Sequence, residues 1–105
     1  MAIKTFTADG VWNTGVPGRS EAGYRCLKYS GTLGGGTLSV HSLSDEVDSG
    51  TGATVETPLA DAKLSAATVD DNGDVVRQMT FQTTGSIVVK LTGSTAPSAL
   101  KVIVE

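Results

Sequence analysis

Apolar and polar residues alternate along most of this chain with a period of two, which predicts strands. The last third is clearest. Ile87, Val89 and Leu91 oppose Val88 and Lys90 in residues 86–91, and Leu100, Val102 and Val104 oppose Lys101 and Ile103 in residues 99–104. Leu38 and Val40 oppose Ser39 and His41 in residues 37–43, with the first pair inward. Tyr24 and Cys26 oppose Leu27 and Tyr29 in residues 24–29, and residues 3–7 read as a short first strand. Between residues 75 and 82, Val75, Arg77, Met79 and Phe81 alternate with Val76, Gln78, Thr80 and Gln82.

Turn signals separate these runs. Pro17-Gly18 predicts a loop over residues 13–20, and three consecutive glycines, Gly34 to Gly36, break the pattern again. Residues 44–52 carry Asp45, Glu46 and Asp48 and read as an acidic, flexible loop. Residues 53–57 are expected to form a short strand that Pro58 confines to an edge or a strand end. Residues 61–69 read as a strand or as one helical turn plus a strand, and the alternation of Leu64, Ala66 and Thr68 with Lys63, Ser65 and Ala67 favours the strand. Asn72-Gly73 within residues 70–74 predicts a type I′ hairpin turn. Residues 83–85 and 92–98 are further turns. The expectation is an all-β domain over residues 1–105, a single-domain β-sandwich or jelly roll of seven or eight short antiparallel strands. Val88 and Ile103 are apolar on the outward side, which fits either full burial in the fold or burial against another subunit.

Composition narrows the function. A chain of 105 residues fits one domain, and 39% hydrophobic residues suffice for a core without disulfides. Fourteen threonines and twelve valines favour strands. A net charge of −3 gives no basic footprint, so no nucleic-acid partner is expected. No apolar run approaches the roughly 20 residues of a membrane-spanning helix, so no membrane partner is expected either. The first six residues lack the apolar stretch of a secretory signal peptide. One cysteine and one histidine leave no intramolecular disulfide, multi-cysteine zinc site or multi-histidine metal site, and no cofactor is expected.

Few residues are candidates for chemistry. Cys26 and His41 are the one nucleophile–base pair available, but no cysteine-enzyme signature surrounds them. They read better as a buried small hydrophobe and a solvated imidazole, so no catalytic residue is assigned and the chain is read as non-enzymatic. The run from Asp70 to Asp74 offers carboxylates to a hard cation but lacks the spacing of an EF-hand, and reads as a hairpin turn. Asp45, Glu46 and Asp48 read as a solubilising loop, although a cation or a basic partner surface would also suit them. The glycines at 34–36 lead into a strand and lack the Lys-Ser/Thr of a phosphate-binding loop. Trp12, Tyr24 and Tyr29 have the flat faces of a sugar-stacking platform. With only five aromatics in the chain, Trp12 and Phe81 are expected in the core instead.

Two stretches, Tyr29-Ser30-Gly31-Thr32-Leu33-Gly34-Gly35-Gly36-Thr37-Leu38-Ser39-Val40 and residues 85–102 (Gly85-Ser86-Ile87 through Ala99-Leu100-Lys101-Val102), together cover 30 of the 105 residues. They resemble the strand–turn–strand segments of small all-β virion proteins of tailed bacteriophages. The middle loop departs from that pattern, since residues 44–52 have no tryptophan after the glycine, and no contact made by that loop is carried over. The resemblance implies a structural virion protein. Its expected type is a capsid decoration (cement) protein, or a head-fibre or tail accessory protein, often a homotrimer. It implies the major capsid protein or another virion component as partner, besides the chain itself, and assembly in the host cytoplasm, where Cys26 stays reduced. The alternative is a carbohydrate- or receptor-binding module of a phage fibre or tail. On the structural reading, residues 1–9 or the loop at residues 13–19 are expected to reach a neighbouring capsid subunit.

Overall fold

Residues 2–105, which the computed structural model describes, form eight strands. These are β1 (Ala2–Phe6), β2 (Gly10–Pro17), β3 (Arg25–Thr32), β4 (Thr37–Val47), β5 (Thr54–Ser65), β6 (Gln78–Phe81), β7 (Ser86–Thr92) and β8 (Ser98–Val104). The pairings β1 with β8, β2 with β7, β3 with β6 and β4 with β5 are all antiparallel. The chain is therefore one long hairpin bent at the β4–β5 turn. Two further pairings, β8 with β3 and β7 with β4, roll it into two four-stranded sheets of order β1-β8-β3-β6 and β2-β7-β4-β5. This is the jelly-roll form of the β-sandwich.

The alternation read from sequence sets the core. Leu38 and Val40 face Leu91 and Val89 across the β4–β7 ladder, and Leu27 and Tyr29 face Val104 and Val102 across the β3–β8 ladder. All eight are buried, together with Phe6, Ile87 and Leu100. Each such aliphatic side chain contributes about 1.5–3 kcal/mol by leaving water. Trp12, Met79 and Phe81 are only partly buried and pack on the margin of this cluster, so the fully buried aromatics are Phe6 and Tyr29. Val88 is 3% exposed within the single chain, which answers half of the question about the outward apolar positions. Ile103 is half-buried and pairs with exposed Ile3.

Several sequence expectations need correction. Residues 13–17 are strand, not loop. Pro17 ends β2, an edge strand, where its missing N–H leaves no ladder bond unmade. Residues 44–47 continue β4, and the turn proper starts at Asp48, whose carbonyl accepts from Thr51 and Gly52. The two short strands expected around Pro58 are one edge strand, β5, which ends at Ser65 rather than continuing to Val69. The turn at Asp70–Asp74 forms, but not as type I′. Among its residues only Gly73 has positive φ (86°), and Asp70 and Asp74 bracket a three-residue loop. The strand expected from Val75 is confined to Gln78–Phe81: the alternation breaks between Val76 and Met79, and Val76, whose N–H bonds to Thr68 O, packs on the core in place of exposed Val75. Residues 2–6 are no free arm: they pair with β8 throughout, and Phe6 is 3% exposed. Met1 lies outside the described residues.

Rolling the hairpin brings backbones together where no side chain fits. Gly85 has φ 74° and faces the Leu43 carbonyl so closely that a Cβ would overlap its oxygen. Gly52 has a similar φ of 73° but open space around it. Gly85→Ala should therefore cost about 3 kcal/mol or more, while Gly52→Ala costs only the ~1–2 kcal/mol of left-handed strain. Urea denaturation of the two variants checks this, and equal losses would refute the close-approach argument.

Candidate functional site on the outer face of the β2-β7-β4-β5 sheet

Because Leu38, Val40 and Ser42 point inward, Ser39, His41 and Leu43 point out on the central strand β4. Cross-strand register then places Lys90 and Lys63 on either side of Ser39, Val88 and Pro58 on either side of His41, and Ser86 and Glu56 on either side of Leu43. The long side chains close diagonally over this face. Glu56 Oε2 forms an ion pair with Lys90 Nζ and lies 3.3 Å from His41 Nδ1, without an aligned hydrogen bond. Ser39 Oγ lies 3.1 Å from His41 Nε2.

β5 supplies the wall of a hollow here. Ser39 pairs with Lys63 and His41 with Pro58, so four residues of β5, from Leu59 to Ala62, stand opposite Val40 alone. The strand bows outward, and Asp61 takes a φ of 57° within the bow. The resulting hollow holds about 440 Å³, lined by Ser39, His41, Lys63 and Lys90 on its polar side and by Pro58 and Leu59 on its apolar side. His41 titrates below its ordinary 6.5, first because burial disfavours the imidazolium and then because Lys90 and Lys63 repel it, against an opposing pull from Glu56. With His41 neutral, two ammoniums against one carboxylate leave the hollow with a net charge of +1.

A hydroxyl, an imidazole and a carboxylate in line follow the order of an acyl-transfer relay. The surroundings do not supply the rest of one. Lys90 holds the carboxylate, and β4 is paired on both sides at Ser39, so the Ser39 backbone N–H belongs to a ladder rather than to an oxyanion site. The hollow is better built to hold an anionic group than to cleave one.

The other candidates are scattered. Cys26 is half-buried on the outer face of the opposite sheet, because its neighbour Leu27 is the inward residue, so the whole sandwich separates it from His41. Trp12 and Tyr29 point into the core from different sheets, and Tyr24 is exposed in the loop before β3, so the three form no common platform. The Arg77 guanidinium stacks over Tyr29 at 5.2 Å, which occupies that ring. Asp70 Oδ1 accepts from the backbone N–H groups of Asn72 and Asp74, so this carboxylate stabilises its own turn. Among the described residues no group of three His, Cys, Asp or Glu is placed to hold a metal ion. Ser39, Glu56, Lys63 and Lys90 had no sequence signal, since only the cross-strand register brings them to His41. Comparison with known proteins finds no matching family model, no similar curated protein and no similar solved structure.

Acid weakens the fold through His41. The unfolded chain takes up a proton near pH 6.5 and the folded chain only at lower pH, so His41 contributes stability above 6.5 that is lost as the pH falls through the folded value. Wild-type unfolding free energy should fall on acidification below pH 6.5 more steeply than that of His41→Gln. Urea titrations at stepped pH measure both slopes, and parallel slopes would rule the effect out.

Proposed function

We propose that the chain is a non-enzymatic structural protein of a bacteriophage virion, a capsid decoration protein that binds the capsid surface and stabilises it as a homo-oligomer. The observation that carries this reading is how its two phage-like stretches meet. Tyr29–Val40 contributes the end of β3, a glycine turn and the start of β4, while Gly85–Val102 contributes β7, a turn and most of β8. β3 pairs with β8 and β4 with β7, so these stretches form the centre of both sheets. Their turns also interlock. Thr95 N–H donates to Gly34 O at 3.0 Å, and a Cβ at Gly34 would lie 2.6 Å from the Ala96 carbonyl carbon. The resemblance thus falls on one continuous unit rather than on two unrelated turns.

Jelly rolls serve both viral capsid and lectin domains, so the fold alone does not choose between them. The inward-facing Trp12 and the occupied face of Tyr29 favour the structural reading over a sugar-binding module. Co-sedimentation of the purified chain with shells that lack it should show saturable binding, with the decorated shells disrupting at higher temperature than bare ones. Absence of binding would sink the proposal, and glycan binding in its place would favour the receptor-binding module.

A further inference from the structure

Charge is unevenly placed along the β4–β5 hairpin. Its tip, residues 44–55, carries Asp45, Glu46 and Asp48, all exposed, and no basic residue. Val47 and Val55 are also 57% and 52% exposed there. At its base, Ser39 and Lys63 line the hollow together with Lys90 of β7, which is paired with Glu56, beside apolar Pro58 and Leu59. Tip and hollow therefore match in both respects, carboxylates against ammoniums and valines against an apolar wall. Glu46 and Lys63 form no ion pair among the described residues.

The tip cannot reach the hollow of its own chain. Val47 lies eight positions beyond Ser39 on the same strand, about 26 Å at the rise of a β-strand, and the two paired strands hold it at that distance. We infer that the acidic tip of one copy docks into the basic hollow of a second copy. The contact joins two different patches, so it is heterologous, and repetition with closure gives a cyclic ring. This deepens the homo-oligomeric part of the proposed function and rests on it, by naming the surface through which copies join.

A charge swap tests the contact. Light scattering coupled to size exclusion, over a dilution series, should give wild type a mass that is a multiple of 10.7 kDa, three times that value for the expected trimer. Glu46→Lys and Lys63→Glu should each weaken assembly at least about tenfold, because like charges then face one another. The double variant, which restores opposite charges, should recover the wild-type mass. Circular dichroism and urea unfolding establish that each variant is folded. A wild type that stays monomeric throughout, single variants that assemble normally, or a double variant that stays dissociated would each overturn the inference. Normal assembly of both single variants alongside intact shell binding would remove this contact alone and leave the decoration reading standing. Loss of shell binding with the swap pattern intact would do the reverse.

Discussion

The sandwich depends on closing a hairpin upon itself where backbones must nearly touch. Every connection except β4–β5 passes from one sheet to the other, and two glycines mark where the backbones come closest. At Gly31 (φ 87°) a Cβ would overlap the Ala99 carbonyl, and at Gly85 it would overlap that of Leu43. The first contact sets β3 against β8 and the second sets β7 against β4, the two pairings that convert a flat hairpin into two sheets. Apolar alternation then drives the inner faces together, but alternation alone would not choose this roll. Asp9 adds a brace at the next corner, where its carboxylate accepts from Gly93 and Ser94 at 3.0 and 2.8 Å and ties the β1–β2 connection to the β7–β8 turn.

Where one face of a strand was buried and the other wet, the sequence showed the strand and its inward residues. Leu38 and Val40, and Leu100 to Val104, are such cases. The reading failed where neither face was buried or where the strand lay at an edge. Residues 44–47 project beyond the core, so nothing imposes alternation on them, and their charges resemble those of a loop. Gly15 and Pro17 also resemble loop residues, yet an edge strand tolerates both. Pro58 correctly marked an edge, but the bow from Leu59 to Ala62 hid the continuity of β5.

The hollow was illegible for a different reason. Its members come from three strands, and only the register of β4 against β5 and β7 assembles them. His41 was visible as a lone histidine, while Ser39 and the two lysines looked like ordinary outward residues of half-buried strands. A single-residue slip in either ladder would send Lys63 or Lys90 inward, so the buried partners Leu64, Val89 and Leu91 position the polar face as firmly as they fill the core. The same register accounts for Val88, which stands between Asn13 and His41 with Lys90 two residues along, and is shielded without any second chain.

The two outer faces then have different characters. On the β2-β7-β4-β5 sheet, Glu56 bridges toward Lys90 and His41 and leaves Lys63 without an ion-pair partner among the described residues, beside an apolar wall. On the β1-β8-β3-β6 sheet, Ile3 and Ile103 sit side by side between exposed Lys101 and the exposed Lys28–Glu105 ion pair. An acidic chain that associates with itself must overcome its own repulsion, and at net −3 that cost is modest only if the contact pairs opposite charges locally. The tip of the hairpin carries Asp45, Glu46 and Asp48, while at its base Lys63 of β5 and Lys90 of β7 stand together, Lys90 being paired with Glu56. In the proposed ring the acidic tip of one copy meets the lysines of the next, and the outer face of the opposite sheet takes no part in the contact.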